Sequence, residues 1–487
     1  MAGCTILSLA AFAQYKGAQP VDSKLKKGFD AITQDLAKQY LGKLASEDFG
    51  GRGTGQSGYM KAARYVADNF KASGLKPLGD KGTYFQNVPF TSFKADPYRS
   101  TLTCGKTVLM PGKDFGLTGV TGDLEFSGGI TAINLPAGQK FEASAVENKI
   151  VILNGKGADR AAVQLAFRNG AKLVLTIADK VAVEPTVVSG HNQNGRARAS
   201  LRGYISRAGF MKIAEGLELD ANSILGERSD GMVSWPDGKT ASAKIRSLKE
   251  NVGVPNVIGK LEGSDPKLKE EFIGLGAHLD HLGTQDGVIY YGADDDGSGT
   301  TALLCVAKAM AANPVKPKRS IVFMAFCGEE MGLIGSRYCS DNPPMPLEKM
   351  SCLLQMDMVG RNEDLKDRNG VAIEKPEDNV NTISLVGSKR ISTELHQATL
   401  DANKHIGFVF KYNHEDVYTR SDHAMFARKG VPITFLFSGF HPEYHQPTDT
   451  IEKINFAKIV SSARLNYIVA MNVSNMPSML KRDVAQN

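Results

Sequence analysis

Apolar residues in the second half of the chain fall into short blocks separated by polar and glycine-rich stretches. Phe272–Ala277, Ile321–Phe326, Cys352–Met356, Ile383–Val386 and Val431–Phe437 are nearly continuous in apolar character. Runs of that length suit strands buried on both faces, as in a sheet covered by helices. A different pattern separates the first two blocks. Over Ser298–Ala312 the residues Ala302, Leu303, Val306, Ala307 and Met310 make an apolar helix face, and Pro314 and Pro317 stop it. From Asn251 onward the alternation of buried strands and helical stretches predicts an α/β fold.

The first half reads differently. Two amphipathic stretches, Ile32–Leu44 and Tyr59–Lys71, predict helices, the second stopped by Gly74. Between them Gly53-Thr-Gly55-Gln-Ser-Gly58 has the letters of a dinucleotide fingerprint. That fingerprint must follow a strand, whereas Leu44–Gly50 reads as the end of a helix, so a glycine-rich turn is expected. The region from about Thr118 to Lys244 is rich in Val, Ala, Gly and Thr. Within it Lys149–Leu153, Ala161–Asn169 and Lys172–Ile177 form a strand–helix–strand unit without clustered ligands. The expected organisation is a leader over 1–13, a first part of the main domain over 14–117, an insert over 118–245, and a second part over 246–487.

A length of 487 residues fits two or three domains. Hydrophobic residues at 42% and charged residues at 23% are ordinary for a globular chain. The net charge of +6 is mild for this length, and the one basic cluster, Arg196, Arg198, Arg202 and Arg207, reads as a solvated face. Nucleic acid is therefore not an expected partner. No apolar run is long enough to span a bilayer, so no integral membrane segment is expected. The opening MAGCTILSLAAFAQ has an apolar run over Ile6–Ala13 and a small-x-small site at Ala11-Phe12-Ala13, without a basic start. It reads as a secretory signal with a truncated or misassigned start, which implies a periplasmic or secreted protein. Cys104, Cys305, Cys327, Cys339 and Cys352 show no CxxC spacing, and buried thiols are expected rather than disulfides.

The chemistry sits just after the apolar blocks: Gly-Ala-His278-Leu-Asp280, Gly-Ala-Asp294-Asp295-Asp296-Gly-Ser-Gly, Cys-Gly-Glu329-Glu330, Gln-Met-Asp357-Met and Glu-Tyr444-His445-Gln-Pro-Thr-Asp449. Imidazole and carboxylate are the ligands of catalytic zinc sites. In open α/β sheets such residues collect beyond the carboxyl ends of the strands. Each alone reads as a solvated loop residue; together they read as a metal-dependent hydrolase. Ser421-Asp422-His423 is not a nucleophilic triad, because adjacent residues cannot converge on one reacting centre.

These motifs resemble the co-catalytic zinc peptidases that include bacterial secreted leucine aminopeptidases and glutamate carboxypeptidase II. The resemblance runs from Ser46-Glu-Asp-Phe-Gly-Gly-Arg52 to Tyr444-His445…Asp449-Thr450. It implies a zinc-exopeptidase-like central mixed sheet flanked by helices, and it likens the insert to a smaller, β-rich protease-associated domain. It also implies two zinc ions per subunit. His278 and Asp357 would hold one, Glu330 and His445 the other, and Asp295 would bridge them, with a cis peptide after it. Of Asp294, Asp295 and Asp296 the middle one is chosen on the family pattern. Asp280 and Asp449 would orient His278 and His445 through their second ring nitrogens. Glu329 would be the general base, a choice over Glu330 that spacing alone cannot make, and Tyr444 either an oxyanion donor or a packing residue. The implied activity is removal of amino-terminal residues from peptide substrates. The alternatives are a carboxypeptidase or dipeptidase on the same scaffold, a single-zinc glutaminyl cyclase, or a non-catalytic ectodomain like transferrin-receptor relatives. Oligomeric state and side-chain preference have no sequence signal.

Overall fold

The computed structural model describes residues 14–179, 181, 186–189, 201–226, 231–285, 287–366 and 371–484. The expected leader, Arg196 and Arg198 lie outside them. The chain divides into two compact units, Met1–Val88 with Gly253–Asn487, and Pro89–Val252. The second begins at Pro89, upstream of the expected boundary at 118. The reason is strand pairing. Thr101–Cys104 pairs with Thr240–Ile245, and Phe115–Thr118 with Leu201–Ser206, so these short strands belong to the insert's sheet.

The larger unit is built on a mixed sheet. Its main strands in chain order are β1 (Phe85–Ala95) and β2 (Ser247–Leu261), which both cross the unit boundary along the chain, then β3 (Phe272–His278), β4 (Ser320–Phe326), β5 (Met350–Met356), β6 (Thr382–Val386), β7 (Val409–Lys411) and β8 (Ile433–Phe437). The spatial order is β7-β6-β8-β5-β3-β4-β2-β1. The central four, β8-β5-β3-β4, are parallel, and their residues are buried throughout. That is why they read as unbroken apolar blocks. β2 pairs antiparallel to β4, and β6 antiparallel to β8.

Helices cover both faces. Phe272, Val322, Met324 and Leu353 pack with α5 (Ile334–Asp341) and α7 (His423–Ala427) on one side. The alternate residues Ile273, Leu275 and Phe323 point the other way. There α4 (Gly297–Ala312) and α8 (Phe456–Ser474) pack on β3, β4 and β5, with α1 (Ser23–Ala31) and α2 (Gln34–Leu44) against α4. The two helices expected in the first half are α2 and α3 (Ser57–Ala72). The glycine-rich segment between them follows helical turns, as a plain turn does. No helix of the described residues is long and apolar enough to cross a membrane.

The smaller unit has its own sheet, in which Leu124–Asn134, Lys149–Asn154, Leu173–Ala178 and Leu201–Ser206 are parallel neighbours. The helix Arg160–Arg168 joins the second and third, capped by the Asp159 side chain on the Ala162 amide. Its core is apolar, with Trp235 stacked on Phe210 at 5.0 Å between ring centroids. All five cysteines of the described chain are free and buried.

Candidate metal centre

Parallel register carries the ligand-type residues to one rim. His278 ends β3 beside Phe326, the last residue of β4, so the Glu329-Glu330 turn that follows lies next to it. Asp357 follows β5, the other neighbour of β3. His278 Nε2 lies 3.2 Å from Asp295 Oδ1 and 3.4 Å from Asp357 Oδ1. His445 Nε2 lies 3.1 Å from both Asp295 Oδ2 and Glu330 Oε2. The five residues expected to hold metal thus converge, with Asp295 between two groups.

Neutral or charged, an imidazole and a carboxylate can meet simply as a hydrogen-bonded pair. A stricter test is whether the separations suit a shared ion. Zinc bonds of about 2.0–2.1 Å in a tetrahedron place neighbouring donors about 3.3 Å apart. The four separations fall close to that edge. The sequence reading also missed a member of the second group, His281. Its Nδ1 lies 2.8 Å from Glu330 Oε1 and 3.6 Å from Asp295 Oδ2, yet neither ring nitrogen has a hydrogen-bond partner, nor do Asp295 Oδ2 and Glu330 Oε1. Buried polar atoms left so are uncommon. Donor atoms aimed at a common point rather than at one another account for them, and two such groups are present, His278–Asp295–Asp357 and His281–Asp295–Glu330. The signal was in the sequence as His278-Leu-Asp-His281.

The three consecutive aspartates divide their work. Asp296 caps α4 through the Gly299 amide at 2.8 Å and also accepts from the amides of His278 and Met358. Gly299 is required there, since a Cβ would stand 2.4 Å from both the Asp296 carboxylate and the Met356 carbonyl. Asp294 accepts from the Gly360 amide at 2.7 Å and faces His441 Nε2 at 3.2 Å. Only Asp295 turns its carboxylate to both groups, and the Asp295–Asp296 peptide is cis. Gly292, at φ +57°, lets the preceding loop pass His281, whose ring a Cβ would meet at 2.4 Å.

Two bracing residues act differently from expectation. The Nδ1 of His278 is held by the backbone carbonyl of Asp280 at 3.0 Å; its carboxylate oxygen is 3.9 Å away. That carboxylate instead accepts from the Glu329 amide and the Thr54 hydroxyl, fixing the turn that carries Glu329. Asp449 does not orient His445. It accepts from the amides of Asp294 and Asp295, because the tight turn through these residues leaves their donors buried. Arg52, fully buried at φ +53°, donates to the carbonyls of Leu44, Leu279, Tyr291 and Gly292. It ties together the two loops that present His278, His281 and Asp295.

The electrostatics are those of a cluster that seeks cations. Burial disfavours the imidazolium of His445, but the Asp295 and Glu330 carboxylates outweigh it and raise the pKa to about 10. His278 is likewise raised, as Asp357 and Glu329 overcome burial. Burial acts against the Asp295 carboxylate, yet His281, His278 and His445 hold its pKa well below the usual range. Glu329 goes the other way: burial first, then Glu330 and Asp357, push its pKa up.

A small cleft opens onto this cluster. Glu329 and Tyr444 both line it. The Tyr444 ring stacks on His445 at 3.9 Å and packs on Phe440, leaving its hydroxyl 3.5 Å from Arg420 Nη2. The Ser421-Asp422-His423 segment is structural in form: Ser421 accepts from Gln355, and His423 pairs with the Tyr418 carbonyl against the Phe435 ring.

Residues 256–469 match the model of Peptidase family M28, a span that holds all of these ligand-type side chains. That stretch of the larger unit is therefore similar to the M28 peptidases. A probable leucine aminopeptidase of Arthroderma benhamiae is 26% identical over 238 residues, covering 47% of this chain and 60% of that protein. The chain thus spans about three-fifths of the length of the curated relatives it matches. Among solved structures, a zinc aminopeptidase of Bacillus subtilis superposes with a TM-score of 0.51 at 19% identity, over 96% of this chain and 98% of that one. The aminopeptidase of Aneurinibacillus sp. strain AM-1 gives 0.50 at 19% identity, over 95% and 100%. At that identity the likeness concerns the fold.

Proposed function

We propose that the protein is a di-zinc exopeptidase that removes residues from the free amino end of peptides. The carrying observation is the pair of donor groups that share Asp295, at separations suited to ligands of a common ion. His278 and Asp357 would hold one zinc, and Glu330, His445 and His281 the other. Bound zinc would acidify a shared water and polarise the scissile carbonyl.

The chain's own groups supply the rest. Glu329, kept beside the cluster by the Asp280–amide contact, takes the proton from the attacking water and returns it to the leaving amine. Its upward-shifted pKa has burial as its first cause, and bound cations nearby would draw it back toward the carboxylate a base requires. Tyr444, whose ring is fixed between His445 and Phe440, offers its hydroxyl to the oxygen on which charge develops. The names of the matched relatives support the aminopeptidase reading over its neighbours on this scaffold. We further propose that the smaller unit is a protease-associated domain and that the protein is exported. The strand–helix–strand core supports the first, and the apolar run ahead of Gln14 the second.

The test is hydrolysis of peptide pairs with free and blocked amino ends, before and after chelation and zinc readdition. Cleavage of free amino ends only, lost with chelator and restored by zinc, is expected. Cleavage of blocked peptides from the carboxyl end would move the enzyme to the carboxypeptidase branch.

A further inference from the structure

We propose that Arg420 is a carboxylate-recognition residue, so that this peptidase selects substrates bearing a carboxylate next to the scissile bond. The inference rests on the peptidase reading and names its substrate class. Arg420 lines the cleft over the ligand cluster together with the apolar Met358, Phe435 and Phe437. Its guanidinium is exposed, lies over the Phe440 ring at 5.2 Å, and reaches the Tyr444 hydroxyl at 3.5 Å. Among the described residues no carboxylate lies within salt-bridge distance of it. Among the described residues Arg420 is the one arginine lining this cleft.

Charge balance gives this free cation a purpose. Asp295, Glu330, Asp357 and Glu329 carry four negative charges when ionised, which two zinc dications would neutralise. Arg420 then remains as a cation at the rim of the cleft, over the Phe440 ring. A planar guanidinium held over a ring face presents paired donors to a carboxylate and gains more from it than from water. Tyr444 places it near the chemistry, for the same ring contacts His445 on one side and Arg420 through its hydroxyl. The anion it meets belongs to a residue beside the scissile bond. That is either the free terminal carboxylate of a very short peptide or an acidic side chain.

The experiment measures kcat/KM of the zinc enzyme on two matched pairs. Leu-Gly against Leu-glycinamide probes the terminal carboxylate, and Leu-Glu-amide against Leu-Gln-amide probes the side chain. A preference of about tenfold or more for the acid is expected in one pair, expressed in KM, since charge-assisted hydrogen bonds are the strong class. The pair that shows it identifies the source. In Arg420→Gln that ratio should fall toward one, and Arg420→Lys should retain part of it. Ratios near one in both pairs of the wild type, or a ratio that survives Arg420→Gln, would overturn the proposal. Chelator-sensitive hydrolysis with no acid preference would leave the peptidase reading standing. Absence of chelator-sensitive hydrolysis on every peptide would remove that reading itself.

Discussion

The two units handle polar groups in opposite ways. In the smaller unit, strands and helices close on an apolar core centred on Ile150, Leu173, Phe210 and Trp235, and no group of ligand-type residues was found there among the described residues. In the larger unit, buried His278, His281, Asp295 and Asp357 and half-buried Glu329 and Glu330 gather beyond the carboxyl ends of β3, β4 and β5, on top of an equally apolar sheet. Burying charge is costly unless it is paired or bound to metal. The contrast therefore separates stability from function: the rim of the larger sheet carries a load that packing does not require.

The sharpest way to break this contrast is to remove the shared donor. Asp295→Ala should lower bound zinc from two equivalents to fewer than one, read by elemental analysis, with hydrolysis lost. Retention of both ions would place the bridge elsewhere. Next in size, Glu329→Gln should keep both ions and lose about 10²–10⁴-fold in kcat, the usual share of a general base. Near-normal turnover would remove Glu329 from the proton path. On the other unit, Phe210→Ala should cost about 3–5 kcal/mol in unfolding of that unit, as large-to-small core changes do, while bound zinc stays at two. A loss of zinc in that variant would show that the units are not separable in this way.

A further effect, small near neutral pH, concerns acid. Burial holds the pKa of His423 down to about 3, below its ordinary value. A depressed histidine stabilises the fold at pH above about 6.5, and that stabilisation is lost as pH falls toward 3. Wild type should therefore lose stability relative to His423→Gln by about 1.4 kcal/mol per pH unit below pH 6. A pH-independent difference in chemical unfolding between the two would contradict this.

Much of the larger unit was legible because fully buried parallel strands leave unbroken apolar blocks, and the ligand-type residues stand where such blocks end. His278, Asp357 and His445 were legible that way, whereas Asp295 among three aspartates and Glu330 beside Glu329 were chosen on the family resemblance. His281 was passed over because a second histidine three residues on looks like a loop residue until the Gly292 turn closes over its ring. The work of Asp280, Asp449 and Arg52 was hidden for another reason. Their partners are backbone groups, which carry no residue-specific mark. Helix α8 is buried along nearly its whole length, so apolar residues occur all round it and no amphipathic period announces it. The early start of the smaller unit was hidden because Thr101–Cys104 and Phe115–Thr118 are too short to show where they pair.

The most direct test of the central claim is anomalous scattering at the zinc edge from crystals of the zinc-loaded protein. The account predicts two peaks about 3.5–4 Å apart, one among His278, Asp295 and Asp357, the other among His281, Asp295, Glu330 and His445. A single peak, or two that do not share Asp295, would contradict it.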